Sequence, residues 1–314
     1  MKISVDGGAL NPKNNKRFGT AVFSDNLVKA LQLYDKENQY SIYTFDNLKP
    51  KLFWLKGLVS LEEFKQKKDI FLALNQAVPL YTAGKVISFS HGLSYHFYPE
   101  LYSNRDVTRL NKQLKEMIKR SDKIIVSSKK VKKELLLVNK SIDSKIIILP
   151  FGIPLDMLNC RHPEFISGSR KNFFLYVGMN QQIKNIDFIK KAFNEFKKNK
   201  KHSDFKLFIL TENVSRKKLK KYYERATALL TASHYESFNF PVLEALSQGC
   251  PVIGLKSAII PELKPYVNLA TDIDKFVKNM NMIKIQPNTQ MIKQIEKKFN
   301  WKNYVNNLVK LYKQ

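Results

Sequence analysis

The sequence predicts an α/β protein built from two parallel-sheet domains. Three observations carry this. Short apolar runs recur along the chain, each the length of a buried parallel strand. Segments with the apolar spacing of a helix separate them. The alternation halts at Phe151-Gly152-Ile153-Pro154 and later begins again.

In the first half, Lys2–Asp6 reads as a strand. A turn-rich loop follows from Gly7-Gly8 to Gly19, with Pro12 and several asparagines. Thr20–Leu31 reads as a helix, and Tyr40–Phe45 as a second strand. Further strands are Lys85–Phe89, Lys123–Val126 and Lys145–Leu149, with helices near Val107–Arg120 and Lys129–Val138. After the break, Asn159–Arg170 is loop-like and has the look of a foreign insert at the hinge. Strands then resume at Phe173–Val177, Lys206–Leu210, Ala228–Thr231 and Pro251–Leu255. Helices fall at Ile186–Phe196, Arg216–Ala226 and Pro241–Gln248, and the chain from Thr271 is mostly helical. The expected division is a first domain over 1–152, a second over 153–297 and a closing helix over 298–314. Two such units place a ligand cleft at the carboxyl ends of their strands.

Composition bounds the function. The 314 residues carry a net charge of +27, almost all of the excess being lysine, with only 8 arginines among 54 basic residues. Such charge suits an anionic partner, or a lysine bias spread over solvated faces. No helix-turn-helix signature, zinc spacing or aromatic RNA platform accompanies it, so nucleic acid is not the expected partner. Cys160 and Cys250 have no paired spacing, which fits a reducing compartment. No signal peptide or apolar run of membrane-spanning length is read, so a cytoplasmic chain is expected.

The chemistry concentrates in Glu236-Ser-Phe-Asn-Phe-Pro-Val-Leu-Glu244 and the Ala245–Ile253 stretch after it. Pro241 suits the first position of a helix. Backbone N–H groups at that helix start can receive a phosphate. Glu244, one turn on, is expected to face the cleft as an acceptor for hydroxyls, and Glu236 to reach a second set of hydroxyls from the preceding loop. Carboxylates are poor phosphate ligands but good ligands for sugar and ribose.

The Glu236–Glu244 block, with Gly249 and Pro251-Val252-Ile253 after it, resembles the signature of family 4 (group 1) of the retaining GT-B glycosyltransferases. Other segments are similar in order: Phe18-Gly19-Thr20, His91-Gly92 with Pro99–Tyr102, Ile125-Val126-Ser127, Tyr176-Val177-Gly178 with Lys184-Asn185, Pro261-Glu262, and Phe299–Trp301 with Tyr312. The resemblance implies a GT-B fold, in which two Rossmann-like domains face each other across a cleft and the closing helix returns to the first.

It also implies roles. Lys184 would pair with the diphosphate of a nucleotide sugar, and Gly178 would lie in the strand–loop beside it. Glu236 would hold the transferred sugar, Glu244 the ribose. Ser237, Phe238, Asn239 and Phe240 would line phosphate and sugar. Gly19 would let the first domain approach the donor closely, and His91 would sit near the transferred sugar and the acceptor. The reaction would be front-face displacement with retention and would need no metal or other cofactor. The acceptor would be a saccharide or a lipid-linked saccharide of the cell envelope.

Three departures stand out. No arginine accompanies Lys184, unless Lys190 or another lysine substitutes. The second domain lacks a strand–helix unit usual after Lys206–Leu210. Ser237 and Asn239 occupy positions where glycines are common. These features motivate a second reading, a non-catalytic relative acting as a binding or scaffold protein. Finally, Arg105–Lys145 holds 13 basic and 5 acidic residues, and its helix carries Leu110, Leu114 and Met117 on one face. That basic side is a candidate for docking on anionic lipid.

Overall fold

The computed structural model describes residues 1–10, 19–49, 53–158, 172–212, 214–283 and 288–314. The segment Asn159–Arg170, with Cys160 and His162, lies outside them, as does Phe18. The chain forms two units, Met1–Phe151 with Trp301–Gln314, and Gly152–Asn300.

The first unit begins with β1 (Lys2–Asp6), α1 (Gly19–Tyr34), β2 (Gln39–Tyr43), α2 (Ser60–Lys65), β3 (Ile70–Ala73) and β4 (Lys85–Ser90). It continues through α3 (Ser94–Phe97), α4 (Asn104–Arg120), β5 (Lys123–Val126), α5 (Lys129–Val138) and β6 (Ile146–Ile148). The strands pair in parallel in the order β2-β1-β3-β4-β5-β6. Strand β3 has no counterpart in the sequence reading. Its four residues are all buried, so no alternation marks them. Leu114 and Met117 of α4 pack on Ile124 and Val126 of β5, and Lys112, Lys115 and Lys119 are exposed.

The second unit comprises β7 (Phe173–Val177), α6 (Ile186–Lys197), β8 (Lys206–Leu210), α7 (Arg216–Arg225), β9 (Ala228–Thr231) and α8 (Phe240–Ser247). Then come β10 (Val252–Leu255), β11 (Asn268–Ala270), α9 (Ile273–Met282) and α10 (Thr289–Lys298). Its parallel sheet runs β11-β10-β9-β7-β8. Phe174, Tyr176, Leu207 and Ile209 face α6 and α9, while α7 and α8 cover the other side. The chain passes from β8 through α7 directly to β9, which leaves β8 as an edge strand.

The last helix, α11 (Trp301–Tyr312), belongs to the first unit and packs against α1. Trp301 and Tyr304 join Phe23 in an aromatic cluster, and Tyr312 meets the Tyr40 hydroxyl at 3.3 Å. Each sheet reverses its strand order once, between β1 and β3 in one and between β7 and β9 in the other. In open α/β sheets, ligands bind outside the carboxyl ends of the strands at such a point.

Candidate functional site

In the second unit that point is occupied by two loops tied to each other. Strand β7 leads through Gly178 to a single 3₁₀ turn at Gln182–Lys184. Asn185 then adopts the left-handed conformation (φ 52°), which ends the turn and starts α6. The loop after β9 lies alongside. The Asn185 side chain donates to the Ala232 carbonyl at 3.2 Å, and the His234 N–H to the Ile183 carbonyl at 2.9 Å. These bonds bring Lys184 and Glu236 together, Nζ to Oε1 at 2.8 Å, although 52 residues separate them. Ser233 Oγ donates to the same oxygen at 2.8 Å. The Lys184 side chain is 21% exposed and that of Glu236 13%, so the pair is only partly screened by water.

Tyr176 stands beneath this pair. Burial, with the nearby charge of Glu236, pushes its phenol well above the usual range. A Cβ on Gly178 would come within 2.7 Å of the Tyr176 hydroxyl oxygen, so only glycine fits there without a shift.

Asn239 decides the start of α8. It is left-handed, φ 72°, a conformation that costs most residues but that asparagine tolerates. Its side chain turns inward, accepting from Val242 N–H at 3.4 Å and donating to the Ala258 carbonyl at 3.1 Å. Asparagine thus keeps a backbone that glycine would allow and adds a helix cap. Phe238 and Phe240 are buried on either side of it, their rings 5.4 Å apart, and Ser237 is half-buried.

Glu244, expected to face the cleft, is 2% exposed, and both of its oxygens are engaged within the unit. Arg216 Nη2 donates to Oε1 at 2.7 Å and the Tyr223 hydroxyl to Oε2 at 2.9 Å. Burial raises the Glu244 carboxyl above its usual range, against the opposing pull of Arg216 and Tyr223. Arg216 also grips Asp156 through Nε and Nη2 at 2.8 and 3.0 Å, a forked contact that lysine could not make. Lys190, considered as a substitute cation, pairs with Asp187 at an exposed position. Sequence reasoning missed Arg216, Tyr223, Asp156 and Ser233. Arg216 had a signal: it is one of 8 arginines in a lysine-rich chain, and it opens a helix behind the capping Ser215.

The first unit holds the other two candidates. Gly19 opens α1 with φ +25°, and open space surrounds the position of a Cβ. One turn on, the Phe23 ring meets the His91 ring edge-on at 4.9 Å. His91 Nε2 lies 2.6 Å from the Leu74 carbonyl oxygen, so that nitrogen carries the proton and donates, leaving Nδ1 as an acceptor. Burial depresses the His91 pKa to about 4, which keeps the ring neutral at physiological pH.

Comparison with known proteins agrees with this architecture. A family model described as glycosyl transferases group 1 matches residues 208–268, which include Arg216, Glu236 and Glu244. No curated protein matches the chain by sequence. Among solved structures, sucrose-phosphate synthase from Thermosynechococcus elongatus is similar, with a TM-score of 0.72 at 14% identity over 100% of this chain and 98% of that one. Anabaena HepE, in complex with UDP and glucose, gives 0.66 at 13% identity over 100% of both chains. The catalytic domain of starch synthase IV from Arabidopsis thaliana, bound to ADP and acarbose, gives 0.66 at 13% identity, covering 99% of this chain and 98% of that one. The fold is that of the GT-B structures, and with the matched segment it supports a GT-B glycosyltransferase. Among the described residues no helix is long and apolar enough to cross a membrane.

Proposed function

We propose that this protein transfers a sugar from a nucleotide diphosphate sugar to a saccharide or lipid-linked acceptor of the cell envelope, with retention of anomeric configuration. The observation that carries the proposal is the Lys184–Glu236 pair at the switch point of the second sheet. A cation and a carboxylate held side by side at a strand's carboxyl end suit a ligand that is anionic on one side and rich in hydroxyls on the other.

In this reading Lys184 turns from Glu236 to the diphosphate as the donor binds, and Glu236 takes hydroxyls of the transferred sugar. Ser237 and the backbone of Phe238, Asn239 and Phe240 line phosphate and sugar, with the start of α8 favouring negative charge on the leaving group. Glu244 serves the ribose side with the lone pairs that Arg216 and Tyr223 leave, each carboxylate having about four. Gly178 keeps the loop close under Tyr176. Within the first unit, Gly19 leaves the space at its Cβ position open and the neutral His91 offers Nδ1 as an acceptor. No metal is required for the displacement. The basic side of Arg105–Lys145 would hold the enzyme at an anionic membrane surface.

A second reading, a binding or scaffold protein without turnover, draws on one observation: the Glu244 oxygens are already engaged.

Thermal unfolding against a panel of nucleotide diphosphates and nucleotide sugars, with Lys184→Ala in parallel, separates the two. A ligand at 100 times its dissociation constant adds about 2.7 kcal/mol. A stabilising shift with one nucleotide, reduced in Lys184→Ala, supports the donor site. No shift with any nucleotide, from a folded sample, favours the scaffold reading.

A further inference from the structure

We infer that the second unit carries a separate site for an anionic phospholipid, at the free edge of its sheet between β8 and α7. Three aromatic rings make its floor. Phe173, Phe208 and Tyr222 approach one another with centroids 4.9 to 6.3 Å apart and, with the cations above them, line an open pocket of about 320 Å³. Phe208 is 37% exposed on the edge strand, a large apolar side chain left open to solvent. Three cations make the rim. Lys218, Lys221 and Arg225 lie with Tyr222 on one face of α7, at positions i, i+3, i+7 and i+4. Among the described residues none of the three forms an ion pair, and Glu224 is the single acid between Arg216 and Arg225.

An apolar floor with a cationic rim selects a ligand that is anionic at one end and hydrocarbon at the other. A phosphate would lie among Lys218, Lys221 and Arg225, with the chain below it resting on Phe208 and Tyr222. An aromatic pair beside basic residues is the pattern of a side chain set at a membrane interface. A second copy of this chain is a poor occupant, since two such stripes would repel. The site does not belong to the candidate donor site. Phe173 is the first residue of β7, whereas Lys184 and Glu236 lie beyond that strand's carboxyl end. It is also distinct from the basic face of α4, which lies in the other unit.

The test is cosedimentation of the full-length protein with phosphatidylcholine vesicles, with and without phosphatidylglycerol. Three variants are compared: Lys218→Ser/Lys221→Ser/Arg225→Ser, Phe208→Ser, and Lys112→Ser/Lys115→Ser/Lys119→Ser on α4. Binding that needs phosphatidylglycerol is expected. It should fall on the order of a hundredfold in the α7 triple variant and about tenfold in Phe208→Ser; the α4 variant loses charge attraction as well but keeps the wild-type response to dodecyl phosphate. Monomeric dodecyl phosphate should raise the melting temperature of the wild type and not that of Phe208→Ser. The proposal is overturned if vesicles are not bound, if Phe208→Ser binds as the wild type does, or if binding falls in the α4 variant and not in the α7 triple variant. It is also overturned if single-stranded DNA engages the α7 stripe and vesicles do not.

Discussion

Arg216 donates to Glu244 at 2.7 Å while the same guanidinium holds Asp156 in a fork. The carboxylate is nearly inaccessible and the cation is its main charge partner. Removing one side of such a pair leaves an uncompensated buried charge. Arg216→Ala should destabilise the protein by about 3 kcal/mol, and Arg216→Ala/Glu244→Gln should recover part of that loss. Urea unfolding measures both. Equal stability of the single and double variants would show that the pair is not coupled.

The Lys184–Glu236 pair makes a different prediction, because an anionic ligand must compete with Glu236 for the lysine. Glu236→Gln releases Lys184 from that competition. A nucleoside diphosphate should bind the variant at least as tightly as the wild type, while the preference for a nucleotide sugar over the free diphosphate should shrink. Calorimetric titration of the two ligands gives the ratio. A uniform loss for both would mean that Glu236 only positions the loop.

Asn239 offers a stability test independent of ligand. Asn239→Gly keeps the left-handed backbone and loses the cap, costing a few tenths of a kcal/mol. Asn239→Ala loses the cap and adds left-handed strain, for a total of about 2–3 kcal/mol. If the two variants melt together, the positive φ is not needed.

His91 sets part of the acid limb of stability. Its folded pKa of about 4 lies below its ordinary value of 6.5, so unfolding takes up a proton at intermediate pH. The stabilisation is fully present above pH 6.5 and declines as the pH falls toward 4, by about 3 kcal/mol in all. His91→Gln should lower stability at neutral pH through lost packing on Phe23 and then fall less steeply between those limits. Melting temperature against pH for both proteins tests it; parallel curves would show that His91 does not titrate on unfolding.

Much of the fold was legible in the sequence. Strands such as Phe173–Val177 and Ala228–Thr231 appear at the expected residues, because short apolar runs between helical segments can be buried in few other ways. Ile70–Ala73 and Asn268–Ala270 were not legible. At three or four residues they are too short to carry a period, and pairing with neighbouring strands makes them strands. The side chains of the candidate site could be named from the chain, Glu236 and Glu244 from their block and Lys184 only through the resemblance, since one lysine among so many carries no signal of its own; position 239 showed as a departure from glycine.

The sequence alone determined the repeated α/β order, the residues of the Glu236–Glu244 block and the basic character of the surface. Those properties depend on local periodicity and composition, which a linear chain displays. Only the tertiary structure decided which groups pair. It set Lys184 against Glu236 across 52 residues, closed Arg216 and Tyr223 over Glu244, and opened the Phe208 edge to solvent. Those outcomes depend on which loops the parallel strands bring to one end of a sheet and on which strand is left without a neighbour, and spacing along the chain carries neither.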